Sequence, residues 1–281
     1  MLGEKYINPF TDFGFKKIFG TEPNKDLLIN FLNHILPPQH KINELYFSPN
    51  EVFGYTPTDR KAIFDLYCTS DNGDKFIVEM QKAKQNYFKD RSVYYSSFPI
   101  QEQAKKKGWD YKLSAVYIIG ILDFTFDDNI ADKEVVHTVQ LKDHKCRVFY
   151  DKLTYIYLEM PNFNKDENEL ETDFDKWLYV IKNLQQLDNI PHNLQNTIFE
   201  KLFDTAEIAN FSKQEKYQYE ESLKYYRDLK NVIDTGKEEA RLEEKYKIAA
   251  KALGEGFDVE LVSTLTGLSI QEVELIKNKK I

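Results

Sequence analysis

The sequence predicts an α/β sandwich on a mixed β-sheet, and three observations carry that expectation. Residues 62–81, AIFDLYCTSDNGDKFIVEMQ, read as two strands around the turn residues Asn72-Gly73, a hairpin. Leu113 to Asp123 is almost continuously apolar, the pattern of a strand buried on both faces. Helical periodicities stand on both sides of these strands, from Lys25 to Ile35 and after Lys82.

In chain order, Thr11 or Asp12 caps a first helix that carries Phe13, Phe15, Ile18 and Phe19 and stops at Gly20. Asp12 reads most simply as the cap, and Lys16 as a surface lysine. Leu27, Leu28, Phe31, Leu32 and Ile35 form the apolar face of a second helix that ends before Pro37-Pro38. Ile42 to Phe53 reads as a strand interrupted by Ser48-Pro49. In the hairpin, strand alternation puts Ala62, Phe64, Leu66, Cys68, Phe76, Val78 and Met80 on one apolar face. Ile63, Asp65, Tyr67, Ile77, Glu79 and Gln81 take the other.

Lys82 to Lys107 is a helix candidate with Phe88, Tyr94, Tyr95 and Phe98, broken or kinked at Pro99. Val135 to Leu141 and Cys146 to Leu158 read as further strands around Asp143-His144. From Asp173 the pattern is helical: Phe174 to Leu187, Leu194 to Phe211, and Ser212 to Ile233, ended by Gly236. These helices pack on the sheet or form a homo-oligomer surface; the pattern does not choose. Gly254-Glu255-Gly256 ends another helix, Asp258 caps a short one, and Ser269 with Glu272 forms a capping box for the last. Two short helices across a Gly turn resemble a helix-turn-helix. The last helix opens with Gln271, Glu272 and Glu274, and its lysines (Lys277, Lys279, Lys280) come late, so a packing module competes with a DNA reader. The expected divisions are 1–165, 166–235 and 236–281.

Composition narrows the function. Hydrophobic content of 42% suits a chain that buries a core, and 20 Phe with 18 Tyr make that core aromatic. Two cysteines make no disulfide framework, and the histidines lack zinc spacing. No Gly-rich phosphate loop, GxSxG elbow or His-based triad is visible. No signal peptide is evident and the longest apolar run is too short for a bilayer, so a cytoplasmic protein without membrane contact is expected. The net charge of −8 opposes phosphate binding overall; local clustering decides.

Asp65 and Glu79 share a hairpin face among buried residues. Two such carboxylates repel unless a cation or a proton intervenes. Carboxylates suit Mg²⁺ or Mn²⁺; pairing with Arg60, Lys61 or Lys82 is the bland alternative. Lys82, Lys84, Lys89, Arg91 and Lys105 to Lys107 make the following segment the most basic in the chain, either a solvated helix face or a phosphate-contacting one.

Asp65, thirteen intervening residues, then Glu79-Met80-Gln81 resembles the core of the PD-(D/E)XK nucleases, with Gln81 where a lysine usually stands. NPFTDFGFKKIFG, DLYCTSDNGDKFIVEMQ, Arg91 to Tyr95 and GWDYKLSAVYIIGILDF resemble more closely the PD-(D/E)XK nuclease family transposases, the Rpn recombination-promoting nucleases. In that family glutamine commonly replaces the lysine. The resemblance implies a restriction-endonuclease-like core with a helical C-terminal extension. It implies a Mg²⁺ site (Mn²⁺ as substitute) on Asp65, Glu79 and the Met80 carbonyl, with Gln81 orienting water. It brings Lys16 toward the site, and it aligns Gln85 and Arg91 with positions the family favours, beside Lys82 and Lys84 as DNA contacts. The expected function is a metal-dependent DNA endonuclease linked to recombination or transposition; the alternative is a catalytically weak DNA-binding or protein-interaction protein that keeps the nuclease fold.

Overall fold

Six strands in the order β1-β4-β5-β6-β8-β7 form the central sheet of a computed structural model that describes residues 4–52, 62–104, 110–126 and 133–278. They are β1 (Leu45–Phe47), β4 (Leu66–Ser70), β5 (Lys75–Gln81), β6 (Val116–Leu122), β7 (Val136–Lys142) and β8 (Val148–Glu159). A separate pair, β2 (Glu51–Val52) and β3 (Ala62–Ile63), lies outside it. The β4–β5 hairpin is antiparallel, while β5, β6 and β8 run parallel, so the sheet is mixed as expected. Gly73 takes the positive φ (84°) that the hairpin turn demands and donates its N–H to Ser70 O. The chain divides into two units, Met1–Tyr226 and Arg227–Ile281.

In the first unit, each face of the sheet has its own core. Leu66, Cys68, Phe76, Val78 and Met80 pack with α1 (Asp12–Phe19), α2 (Lys25–Asn33), α4 (Asp173–Asn183), α5 (Thr197–Ala206) and with Tyr219 and Leu223 of α6 (Lys213–Gly254). Trp177 packs with Phe19, Phe31 and Phe199, which makes this the aromatic core that composition foretold. On the opposite face Tyr67, Ile77, Ile118, Leu122 and Tyr157 pack against Phe88 of α3 (Phe88–Gln103).

Three expectations are corrected. First, Ala62 to Cys68 is not one strand. The β4–β5 ladder stops at Leu66↔Val78, and β3 leaves to pair with β2. Ala62 and Phe64 therefore join the core of Tyr67 and Ile77, not that of Leu66 and Cys68. Asn50 supplies what the ladder loses: its C=O accepts the Phe64 N–H at 2.9 Å, and its side-chain amide donates to Asp65 O at 2.9 Å. Second, α3 begins only at Phe88 and runs through Pro99 to Gln103. Proline removes one helical N–H but its fixed φ suits a helix, and Pro99 is buried. Third, Gly236 does not end its helix; α6 continues to Gly254. A glycine costs an exposed helix only about 1 kcal/mol, and Lys237-Glu238-Glu239-Ala240-Arg241-Leu242 that follow are strong helix formers. Phe53, Arg60, Lys61, Lys105 to Lys107, Lys279 and Lys280 lie outside the described residues.

In the second unit, Ala249 of α6, Val262 of α7 (Val259–Thr266) and Val273 of α8 (Ile270–Asn278) close a small core with Leu268. Asp258 caps α7 through Leu261 N, and Gly267 turns the chain at φ 67°. Ser269 and Glu272 form the expected reciprocal cap of α8. No helix among the described residues is long and apolar enough to cross a membrane.

Candidate active site

The break in the strand before β4 is what makes the site. Where the backbone ladder ends, side chains take over its hydrogen bonds. The Asp65 carboxylate accepts the Met80 N–H through Oδ2 at 2.8 Å. In return the Glu79 carboxylate accepts the Asp65 N–H through Oε1 at 3.2 Å. Gln81 Nε2 donates to Glu79 Oε2 at 2.9 Å. Asp65, Glu79 and Gln81 are thus brought together at the end of β5, as expected, although the alternation expected on the Asp65 side is broken. In a strand the N–H and C=O of one residue face the same neighbour, so the Met80 carbonyl faces the edge at which Asp65 stands.

Burial sets the electrostatics. Glu79 is 7% exposed and Gln81 9%. Burial raises the Glu79 pKa well above the ordinary carboxylate range, and the Asp65 charge raises it further. Burial also raises Asp65, against the lowering effect of the Met80 N–H. Three opposing charges reach the pair: Arg91 favours the ionised form of Glu79, and Lys16 and Lys82 that of Asp65. Among the described residues neither carboxylate makes an ion pair. Lys82 is itself depressed by burial, and its ammonium lies 5.6 Å from the centre of the Tyr225 ring.

The surrounding basic residues divide. Arg91 Nη1 donates to Gln85 Oε1 at 2.6 Å, and its guanidinium lies 5.6 Å from the Phe88 and Tyr95 ring centres. Arg91 lies near enough to favour ionised Glu79, and the hydrogen bond ties Gln85 to Arg91. Lys84 is exposed on the segment between β5 and α3. Lys89 is turned toward the Phe126 ring, 4.9 Å from its centre. On α1 the cap is Thr11, whose Oγ1 accepts the Gly14 N–H. Asp12 is not the cap; it pairs with Lys16 at 2.9 Å. The pair borders a cleft of about 550 Å³ lined by Asp12, Lys16, Lys17, Asn50, Leu66 and Ser222.

Asn50 and Tyr225 escaped the sequence reading. Ser48-Pro49-Asn50 is visible as turn chemistry, but nothing local shows that Asn50 reaches Asp65, fifteen residues on.

A family model described as PD-(D/E)XK nuclease family transposase matches residues 9–236. A second, described as Rpn/YhgA-like nuclease family, C-terminal HTH domain, matches residues 242–278. No curated protein and no solved structure matches the chain.

Proposed function

The chain belongs to the PD-(D/E)XK nuclease family transposases, and from that premise we propose that it is a Mg²⁺-dependent DNA endonuclease acting in recombination or transposition. The observation that carries the reading is the reciprocal clasp of Asp65 and Glu79. Buried Glu79 and half-buried Asp65 lie side by side, the Glu79 carboxylate on the Asp65 N–H and the Asp65 carboxylate on the Met80 N–H, with no ion pair among the described residues. A hard cation relieves both the burial and the repulsion.

The donor set fits. Among the described residues no group of three or more His, Cys, Asp or Glu could hold an ion. A zinc cage is therefore not what this site offers. Mg²⁺ needs only one or two carboxylates and keeps several waters; Asp65, Glu79 and the Met80 carbonyl supply three oxygens. When bound, the ion polarises the scissile phosphate and lowers the pKa of a coordinated water. Gln81 fixes the second Glu79 oxygen and orients water with the rest of its amide. It carries no charge, so transition-state charge on the phosphate falls to Arg91, Lys82 and Lys16. Lys84 and Gln85 extend that surface toward the DNA backbone, and the C-terminal helix-turn-helix is a second place for DNA to dock.

Plasmid nicking tests this. The parent should cleave with Mg²⁺ or Mn²⁺ and not with EDTA, and Asp65→Ala should be inactive in all three. A parent that binds DNA yet leaves the plasmid intact under every condition would establish the other reading, a DNA-binding protein on a nuclease fold.

A further inference from the structure

Tyr87 stands at the head of α3 with its ring 80% exposed. Among the described residues that ring makes no aromatic, cation or hydrogen-bond contact. Its backbone adopts φ 63°, ψ 25°, the left-handed conformation. Glycine or asparagine enters that region readily; a tyrosine there carries a steric cost. The preceding residue is Asn86, so the residue suited to the position stands one place too early. A strained backbone that holds an aromatic ring out in water is unexplained by packing.

Its surroundings supply a use. Tyr87 O accepts the Arg91 N–H at 2.9 Å, so the ring sits one helical turn before the guanidinium that favours ionised Glu79. Lys84 and Gln85 precede it on the same segment. Interleaved cations and an exposed ring beside a phosphate-cleaving centre are the elements of single-strand binding: charge follows the backbone and the ring stacks on a base. Base pairs in an intact duplex hide their faces, whereas unpaired or splayed nucleotides expose them.

Building on the nuclease reading, we propose that Tyr87 is a stacking residue that selects DNA with unpaired nucleotides next to the scissile phosphate. Bubbles, flaps and single strands are then preferred over continuous duplex. Tyr111 provides an internal comparison. It is equally exposed (83%) and also left-handed (φ 64°), but it precedes β6, at the end of the parallel strands away from Gln81.

The test uses the full chain and three fluorescein-labelled oligonucleotides: a single strand, a paired duplex, and a duplex with a central bubble. Binding is read in EDTA and cleavage in Mg²⁺. The parent should favour the single strand and the bubble. Tyr87→Ala and Tyr87→Asn should weaken binding to both by about 5- to 150-fold, the range for one base–aromatic stack, and leave the duplex within about twofold. Tyr87→Phe should keep the preference. Tyr111→Ala should change nothing. Tyr87→Asn should also melt higher than the parent, because asparagine tolerates the left-handed backbone; that rise separates a ring effect from a folding defect. Equal losses on all three substrates, or Tyr87→Asn binding the bubble as tightly as the parent, overturn the stacking role and leave the nuclease reading in place. A parent that neither binds nor cleaves any of the three overturns both.

Discussion

At the scale of single residues, the clasp makes stability depend on protons. The folded-state pKa of Glu79 is raised above its ordinary 4.5, and that of Asp65 above 3.8. The folded chain therefore holds protons that the unfolded chain has released, and stability falls as pH rises through this window. The contribution is whole below the unfolded values and is lost once the folded groups ionise. A metal-free melt should drop in temperature from mildly acid to mildly alkaline pH, and Glu79→Gln should flatten the drop. Mg²⁺ should restore the parent at the alkaline end, because binding needs the ionised ligands and stabilises the folded state by mass action. A slope identical in parent and Glu79→Gln would locate the titration elsewhere. On the proposed reading Gln81, which donates to Glu79 Oε2, acts through it, so Gln81→Ala should lower cleavage by about 10- to 100-fold, as loss of a ligand-orienting partner does. Its folded spectrum should stay unchanged; an unaltered rate would remove Gln81 from the site. Glu79 and Gln81 were legible because strand alternation has a period of two and survives along β5; Asp65 reaches them from the break before β4, where that alternation fails. Asn50 was not, because its partner is distant in sequence and its residue type marks any turn.

Among the elements, legibility followed how many bonds a local signal commands. The turn at Asn72-Gly73 and the buried β6 run each dictate a whole element, and both were found in place. Pro99 and Gly236 were read as terminators, yet each removes only one interaction from a helix held by many others. The break at Asp65 is the instructive miss. Ala62 to Cys68 alternates as one strand, and only the pairing partners reveal that β3 belongs with β2. That break frees the Met80 N–H for the Asp65 carboxylate, so the feature hidden from the sequence is the one that assembles the site. Gly236 offers a clean test of the helix argument. A Cβ there meets nothing within 4 Å, so Gly236→Ala should add about 1 kcal/mol to the local stability of α6. Amide exchange on either side of residue 236 should slow about fivefold. Unchanged exchange would mean that α6 opens from elsewhere.

For the whole molecule, the proposed function asks how a chain of net charge −8 would hold a polyanion. The cations must be gathered, and the structure gathers Lys16, Lys82 and Arg91 around two carboxylates. The second unit is differently built. Its last helix opens with Gln271, Glu272 and Glu274, and Glu272 is spent on capping Ser269. A helix that enters a groove by its N-terminal residues would meet phosphates with those acids. Affinity should therefore rest on the segment after β5 more than on α7 and α8. The measurement is the slope of log affinity against log salt, which falls by about 0.9 for each phosphate contact removed from duplex DNA. Replacing Lys84 and Arg91 together by alanine should lower the slope by nearly two contacts. Ending the chain after Gly254, which leaves α6 whole, should lower it by less. If the shortened chain loses the greater part of its slope while the double variant keeps it, the helix-turn-helix holds the DNA and the nuclease centre only cuts what is brought to it. If neither variant alters the slope, the contacts lie on α1, where Lys16 and Lys17 line the cleft beside Asn50, and that helix becomes the surface that carries the substrate.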